Sequence, residues 1–250
     1  MRMLVLPQVD SSNAEAFRLA LKGETGPLYI RAERQTAGRG RSGRAWSAPN
    51  GNLALSRLGP LQCPPQAVPQ ISLVAGVAVH RACAALLSGY EAAVARLHLK
   101  WPNDLLLDGA KLAGILIEST TVGGQSIAVI GIGINLSTAP EVAGRRTAAL
   151  AEVAGRSIPP AEAAECVVVH LEQALSAWAE ARAFNLIRAQ WLERATPVGA
   201  AMTIETGNGR IGGAFAGLDA GGALLLRTSS GTLQTFTYGD VTLASEQEMS

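Results

Sequence analysis

The pattern of hydrophobic and polar positions changes period several times along the chain, and the changes mark its elements. Ser11 to Leu21 opens with hydroxyl and amide side chains suited to a helix N-cap and continues with apolar residues at helical spacing, which predicts a helix. Leu28-Tyr29-Ile30 predicts a short strand. From Glu33 to Gly51 the periodicity is lost in a polar stretch rich in Gly and Arg. Loops of that length inside a domain are usually functional. Strand character returns at Leu53–Ser56, and a Pro-rich connection from Pro60 to Pro69 leads into a long apolar helix, Ile71 to Leu87. Ser72, His80 and Arg81 interrupt that helix, so it falls short of the roughly 18 unbroken apolar residues of a membrane span and is expected in the core.

The strongest hairpin signal comes next: Leu105-Leu106-Leu107, then Asp108-Gly109, then Ala110 to Glu118. Asp-Gly between apolar runs favours a two-residue type I′ turn. In that register Leu106 faces Lys111 and Asp104 faces Ala113, and the two-residue period puts Asp104 and Lys111 on one face as diagonal neighbours. Gly123-Gly124 turns the chain again and Ser126 to Ile134 reads as a buried strand, while Ala161 to Phe184 and Asn185 to Arg194 read as amphipathic helices. After Thr196-Pro197 come short strands punctuated by glycine, Met202–Glu205, Gly213–Gly217, Ala223–Arg227 and Leu233–Thr237, which predict a small β-barrel. The fold class is α/β (α+β), a mixed-sheet domain over residues 1–194 followed by a small all-β domain over 195–250.

Composition narrows the function classes. With 48% hydrophobic and 16% charged residues among 250, the chain holds a sizeable core and is not disordered. A formal charge of +1 excludes a bulk basic field for nucleic acid. The C-terminal segment carries five acids (Glu205, Asp219, Asp240, Glu246, Glu248) against Arg210 and Arg227, which argues against a nucleic-acid-binding barrel. Cys63, Cys83 and Cys166 form neither a disulfide framework nor a zinc spacing, and His80, His98 and His170 have no metal-ligand spacing, so no protein metal site is expected. The N-terminus reaches Pro7 and Asp10 too soon for a secretory apolar region, and a soluble, cytoplasmic protein without membrane attachment is expected. The basic residues are 18 Arg and only three Lys (Lys22, Lys100, Lys111), so close-quarters chemistry that prefers a compact ammonium deserves a search near each lysine.

Three constellations could carry chemistry. Residues 38–43, Gly-Arg-Gly-Arg-Ser-Gly, satisfy GxGxxG, but no apolar strand precedes them and residues 57–63 offer no acid, so a dinucleotide fold is excluded. What remains is a glycine loop with Arg31, Arg34, Arg39, Arg41 and Arg44 against Glu33, followed by Trp46: an anion site, or a solvated basic loop beside a buried Trp. Second, Lys100-Trp101-Pro102-Asn103-Asp104 precedes Lys111-Leu112-Ala113-Gly114. A buried ammonium there needs an anionic partner, which favours a site over an ordinary surface pair. Third, Gly131-Ile132-Gly133-Ile134-Asn135 ends an apolar strand with one face cleared, for a flat ligand or for helix packing.

Taken in order, these motifs, with Asp10-Ser11-Ser12-Asn13 before them and Glu33 to Trp46 in full, resemble the biotin protein ligases. The resemblance implies a biotin/lipoate-ligase-like catalytic domain and a C-terminal SH3-like barrel. It implies ATP, biotin and Mg²⁺, biotinyl-5′-AMP as intermediate, and transfer of biotin to a lysine of a biotin carrier domain such as that of acetyl-CoA carboxylase. Ser11, Ser12, Asn13, Gln35, Gly38, Gly131 and Gly133 would form the biotin pocket, with Arg39, Gly40 and Arg41 along the biotinyl-adenylate. Arg44, Trp46, Asn103 and Asn135 would serve the nucleotide end. Lys111 would neutralise charge at the reacting centre, Asp104 would orient or deprotonate the incoming amine, and Lys100 would support them. The pocket motif reads Ser-Ser-Asn where Ser-Thr-Asn is commoner, and it begins at residue 10, which leaves no room for the helix-turn-helix domain of the repressor members, so no DNA binding is expected. A homodimer through a sheet edge is open. The rival readings are a lipoate or octanoate ligase or transferase of the same fold, and a non-catalytic biotin sensor; the arginine loop and Lys111 count against both.

Overall fold

Residues 1–207 and 209–244 are described in the computed structural model. Glu246 and Glu248, counted above in the charge of the C-terminal segment, lie outside the described residues. Seven strands form the first sheet: β1 (Arg2–Leu6), β2 (Leu28–Ala32), β3 (Leu53–Pro60), β4 (Leu97–Lys100), β5 (Asp104–Leu107), β6 (Ala110–Val122) and β7 (Gln125–Ile134), in the order β1-β2-β3-β7-β6-β5-β4. It is mixed because β1 runs parallel to β2 while the other pairs are antiparallel. Strand β1, which the pattern reading did not include, is an edge strand whose Met3 and Val5 stay exposed. Alternation over five residues at a chain end is too short to separate from a loop.

Helix α1 (Ser12–Leu21) starts where its cap predicts, with Ser11 Oγ accepting from the Ala14 N–H at 3.5 Å. Helix α2 (Gln70–Leu86) is the spine of the main core, packed against the sheet, α5 (Pro160–Trp178) and α6 (Phe184–Leu192); α3 (Glu91–Val94) and α4 (Ala151–Ala154) are single turns. By length and composition the helical segment Pro65–Leu86 could cross a membrane, but most of it is buried inside the fold. Helix α5 stops short of the expected Phe184: Ala179, Glu180 and Ala181 take positive φ and break it without a glycine to announce the end. Cys83 is buried and Cys63 and Cys166 half-buried, all three as free thiols.

Five strands, β8 (Ala201–Thr206), β9 (Gly209–Leu218), β10 (Leu224–Arg227), β11 (Leu233–Phe236) and β12 (Asp240–Leu243), form a second, antiparallel sheet where the pattern predicts a small barrel. The fifth, β12, was not foreseen. Its Val241 and Leu243, with Ile204, Phe215 and Leu226, join the same core as α2 and α6, and the Trp191 and Phe215 rings meet edge to face at 6.4 Å. Fully burying a side chain of this size contributes about 1.5–3 kcal/mol, so the two sheets are held together by a shared interior.

The turn at Asp108-Gly109 has the expected geometry, with φ of 50° and 75°. Leu106 pairs with Lys111 as expected, but a β-bulge then shifts the register, so Leu105 faces Ala113 and Asp104 faces Gly114, where Ala113 was expected. Leu112 is the extra residue of the bulge, two residues opposing one on the partner strand.

Candidate active site

The site arises from a gradient of side-chain size on one face of the sheet. Alternation points Ile127, Val129, Gly131 and Gly133 of β7 to the α1 side; register sets Leu58, Ser56 and Ala54 of β3 against the last three, with Glu118, Leu116 and Gly114 of β6 on the other flank. Ala16 and Ala20 of α1 pack on Leu58, Ile127 and Val129. Beyond that point the face carries small residues, and a cavity of about 380 Å³ opens.

At its α1 end the cavity is lined by a connected polar cluster. The Ser12 N–H and Oγ donate to Gln35 Oε1 at 2.8 and 3.1 Å, Ser56 Oγ lies 2.7 Å from Ser12 Oγ and 2.5 Å from Asn13 Oδ1, and Asn13 Nδ2 donates to Glu118 Oε2 at 2.7 Å. Ser11, Ser12, Asn13 and Ser56 are all buried, so this network is held rigidly by mutual satisfaction. A Cβ on Gly131 would strike the Asn13 amide, and one on Gly133 the Trp46 indole. The cleared face is thus filled in this structure by the protein's own Asn13 and Trp46.

The β4–β5–β6 hairpins concentrate charge. Lys100 and Asp104 pair across β4–β5, and the turn between them is tied to the second sheet through Trp101 Nε1 donating to the Gly222 carbonyl at 3.1 Å, and to α2 through Ser72 Oγ donating to the Pro102 carbonyl at 2.8 Å. Lys111 Nζ lies 2.6 Å from Asp104 Oδ1 and Lys100 Nζ 3.5 Å from Oδ2, with side-chain exposures of 18, 4 and 8% for Lys111, Lys100 and Asp104. Burial by itself opposes ionisation of Asp104, but Lys111 and Lys100 outweigh it and hold the carboxyl below its usual range. Burial, reinforced by Lys100 and Arg145, pulls Lys111 below the ordinary lysine value despite Asp104. Lys111 also lies over the Trp46 ring, 5.6 Å from its centroid.

Above this sits the arginine loop. Gly38 and Trp46, then Gly40 and Arg44, close it by backbone hydrogen bonds, and Ser42 and Gly43 supply its positive-φ bend. Arg39 pairs with Glu118 at 3.3 Å. Arg41 donates to Asn103 Oδ1 at 3.2 Å and to the Gly239 carbonyl at 3.4 Å, and Arg44 meets Asp240 of β12 at 2.6 Å. The second sheet therefore anchors the loop from the far side. Opposite, Asn135 Nδ2 donates to the carbonyls of Ala148 and Lys111 at 3.1 and 3.3 Å, fastening the segment 137–148 to β6.

Every residue that the resemblance places at the site lines this one cavity except Gly38, which packs against the Trp46 carbonyl and Gln35 to close the loop, whereas Arg31 and Arg34, grouped with the anion loop from sequence, line a separate cavity with Glu33 and Asn52. Lys100 lines it as well. Sequence reasoning missed Glu118 and Ser56, which hold Asn13, and Asp240 and Arg145, whose side chains reach the cavity from β12 and from an irregular segment. Among the described residues no three His, Cys, Asp or Glu side chains converge as for a metal ion.

The profile of the Biotin/lipoate A/B protein ligase family matches residues 5–135, and that of the Biotin protein ligase C terminal domain matches 199–243. Biotin--[acetyl-CoA-carboxylase] ligase of Paracoccus denitrificans is 39% identical over 240 residues, covering 91% of this chain and 95% of that protein. The enzyme of the same name from Mycobacterium tuberculosis is 32% identical over 241 residues, 95% of this chain and 87% of that one. A structure of the biotin protein ligase of Aquifex aeolicus with biotin and ATP superposes with a TM-score of 0.78 at 28% identity, covering 97% of this chain and 98% of that one. On both matched segments and on full-length relatives, this chain belongs to the biotin protein ligases of the biotin/lipoate A/B protein ligase family.

Proposed function

We propose that this protein is an ATP-dependent ligase that converts biotin to biotinyl-5′-AMP and passes the biotin to a lysine of a biotin carrier domain, that of acetyl-CoA carboxylase in the first place, in the cytoplasm. The observation that carries the reading is the convergence, in one cavity, of a connected polar cluster at Ser12 and Asn13, a half-buried ammonium at Lys111 held by Asp104, and an arginine loop above both. The polar cluster offers donors and acceptors to the ureido ring of biotin, through Ser11, Ser12, Asn13 and Gln35. The carboxylate would then lie toward Lys111, where attack on the α-phosphorus concentrates negative charge.

Fixed positive charge aimed at that centre in a water-poor site is the strongest catalytic device available here. Lys111 supplies it already in place, because Asp104 holds the ammonium over the Trp46 ring. Arg39, Gly40 and Arg41 line the adenylate, while Arg44 and Trp46 close the loop over a reactive intermediate that water would destroy. The magnesium ion enters as part of the MgATP substrate. In the second step the carrier lysine attacks the acyl carbon and AMP leaves. Asp104, ionised and shared by two lysines, is a weak base there, and its role is to orient the incoming amine.

The test is acyl-adenylate formation with MgATP on biotin, lipoate and octanoate, followed by transfer to a purified carrier domain. Biotinyl-AMP and a biotinylated carrier lysine are expected. Adenylation of lipoate or octanoate only would move the protein to the lipoyl branch, and biotin binding without adenylate would make it a sensor.

A further inference from the structure

The cations of the cavity divide by their partners. Arg39 meets Glu118, Arg44 meets Asp240, and Lys100 and Lys111 share Asp104. Arg41 is held by neutral groups, Asn103 and the Gly239 carbonyl. Arg145 lines the same cavity, yet among the described residues no ion pair or hydrogen bond holds its guanidinium.

Its backbone, by contrast, is fixed. The Lys111 N–H donates to the Arg146 carbonyl at 2.8 Å and the Ala148 N–H to the Lys111 carbonyl at 3.0 Å, so Thr147 lies beside Lys111 in a parallel bridge. The Arg145 N–H donates to the Val142 carbonyl at 3.1 Å, and Thr147 Oγ1 to the Pro140 carbonyl at 2.6 Å. Alternation from that bridge sends Arg145 and Thr147 to the side of Lys111 and Arg146 to the other. Accordingly Arg145 and Thr147 line the cavity and Arg146 is exposed. The field of Arg145 reaches both members of the central pair, adding to Lys100 at Lys111 and to both lysines at Asp104. A guanidinium on a fixed backbone, facing the cavity with no ion pair or hydrogen bond among the described residues, is poised for an anionic ligand group.

Resting on the adenylation assigned above, we propose that Arg145 binds the β- and γ-phosphates of MgATP and the pyrophosphate that leaves. As the biotin carboxylate oxygen bonds to the α-phosphorus, the bond from that phosphorus to the α,β-bridging oxygen breaks and its electron pair stays on the pyrophosphate. Charge therefore grows on the leaving group, on the side of Lys111 away from the biotin pocket. Arg145 is half-exposed and lines the cavity on a segment whose neighbours Val142, Ala143, Gly144 and Arg146 are exposed.

The two half-reactions separate this role from a structural one, since only the first involves pyrophosphate. Steady-state adenylation, pyrophosphate inhibition and transfer from supplied biotinyl-AMP to the carrier would be measured for Arg145→Gln, Arg145→Lys and Arg146→Gln. In Arg145→Gln, kcat/KM for MgATP should fall on the order of 10- to 100-fold, the scale of a lost hydrogen bond between charged groups. Its pyrophosphate inhibition should weaken by a similar factor, while transfer from supplied biotinyl-AMP stays at the wild-type rate. Arg145→Lys should recover part of the loss, and Arg146→Gln should match wild type in every assay. Unchanged MgATP and pyrophosphate constants in Arg145→Gln, or an equal fall in both half-reactions, would overturn the proposal. Wild-type protein that makes no biotinyl-AMP would remove the adenylation reading and this inference together; active wild type indifferent to Arg145 would remove this inference only.

Discussion

The hairpin and the arginine loop face each other across one cavity and are built on opposite principles. Asp104 and Lys100 are buried and Lys111 is half-buried, on adjacent strands whose turn is fastened to α2 and to the second sheet. Arg39 and Arg44 have side chains 47 and 43% exposed, on an irregular loop held by two ion pairs and its own backbone closures. Charges set into the interior keep their geometry and their strength but depend on each other, since removing the carboxylate takes a partner from each of two desolvated ammonium groups. Exposed pairs are weak and replaceable. In the function proposed above, the reacting centre sits on the rigid half, and the half assigned to open for substrate and close over the intermediate is cheap to move.

The largest contrast should come from deleting one acid on each side. Asp104→Ala takes the carboxylate partner from Lys111 and one partner from the buried Lys100, and should cost about 3–5 kcal/mol of stability, read from denaturant unfolding at pH 7. The same assay on Asp240→Ala should show less than about 1 kcal/mol. Equal losses would mean that the hairpin charges are no more interdependent than a surface pair. Acid titration sharpens the point. Asp104 is held below its ordinary value, so its contribution is fully present above the unfolded pKa of roughly 3.9 and is lost as pH falls through the lower folded value. The gap between wild type and Asp104→Asn should therefore persist at pH 5 and close only in stronger acid. A gap already closed at pH 5 would contradict the assigned direction.

An intermediate effect is expected where the two halves touch. Gly133→Ala would drive a methyl group into the Trp46 indole, and overpacking of this kind costs typically 1–3 kcal/mol. The indole should lift, and preformed biotinyl-AMP should escape faster, by about tenfold or more, in a dilution and trapping assay. Retention equal to wild type would show that Trp46 does not cover the intermediate.

The smallest effect should follow from loosening the cover at its far anchor. Asp240→Asn removes the charge facing Arg44 and should raise biotinyl-AMP release only about two- to fivefold, with stability nearly unchanged. A variant that stops adenylation altogether would mean that β12 belongs to the reacting centre.

What could be read from sequence follows the same division. The hairpin was legible because Asp-Gly dictates its turn and a two-residue period carries side chains to known faces; Leu106 opposite Lys111 came out as expected. The bulge did not, because Leu105, Leu106, Leu112 and Ala113 are all apolar and all buried, so a one-residue slip leaves no mark on the pattern. The contact between Asp104 and Lys111 survived the slip since the bulge keeps both on the cavity side. Arg145 and Asp240 were invisible for another reason. One lies in a segment without periodicity and the other begins a four-residue strand, and neither position has a local rule that would aim it at a site formed some 30 and 130 residues earlier in the chain. The closure of the cleared glycine face by Asn13 and Trp46 is likewise a tertiary fact, fixed by where α1 and the loop end up rather than by the spacing of Gly131 and Gly133.

The central claim is that a half-buried, preorganised ammonium at Lys111 drives adenylation, and single-turnover formation of biotinyl-AMP by wild type and Lys111→Ala tests it most directly. Fixed charge of this kind is worth on the order of 10²–10³ in rate, so Lys111→Ala should be slower by about that factor at saturating substrates while biotin still binds. Biotinyl-AMP formed by Lys111→Ala at the wild-type rate would contradict the account.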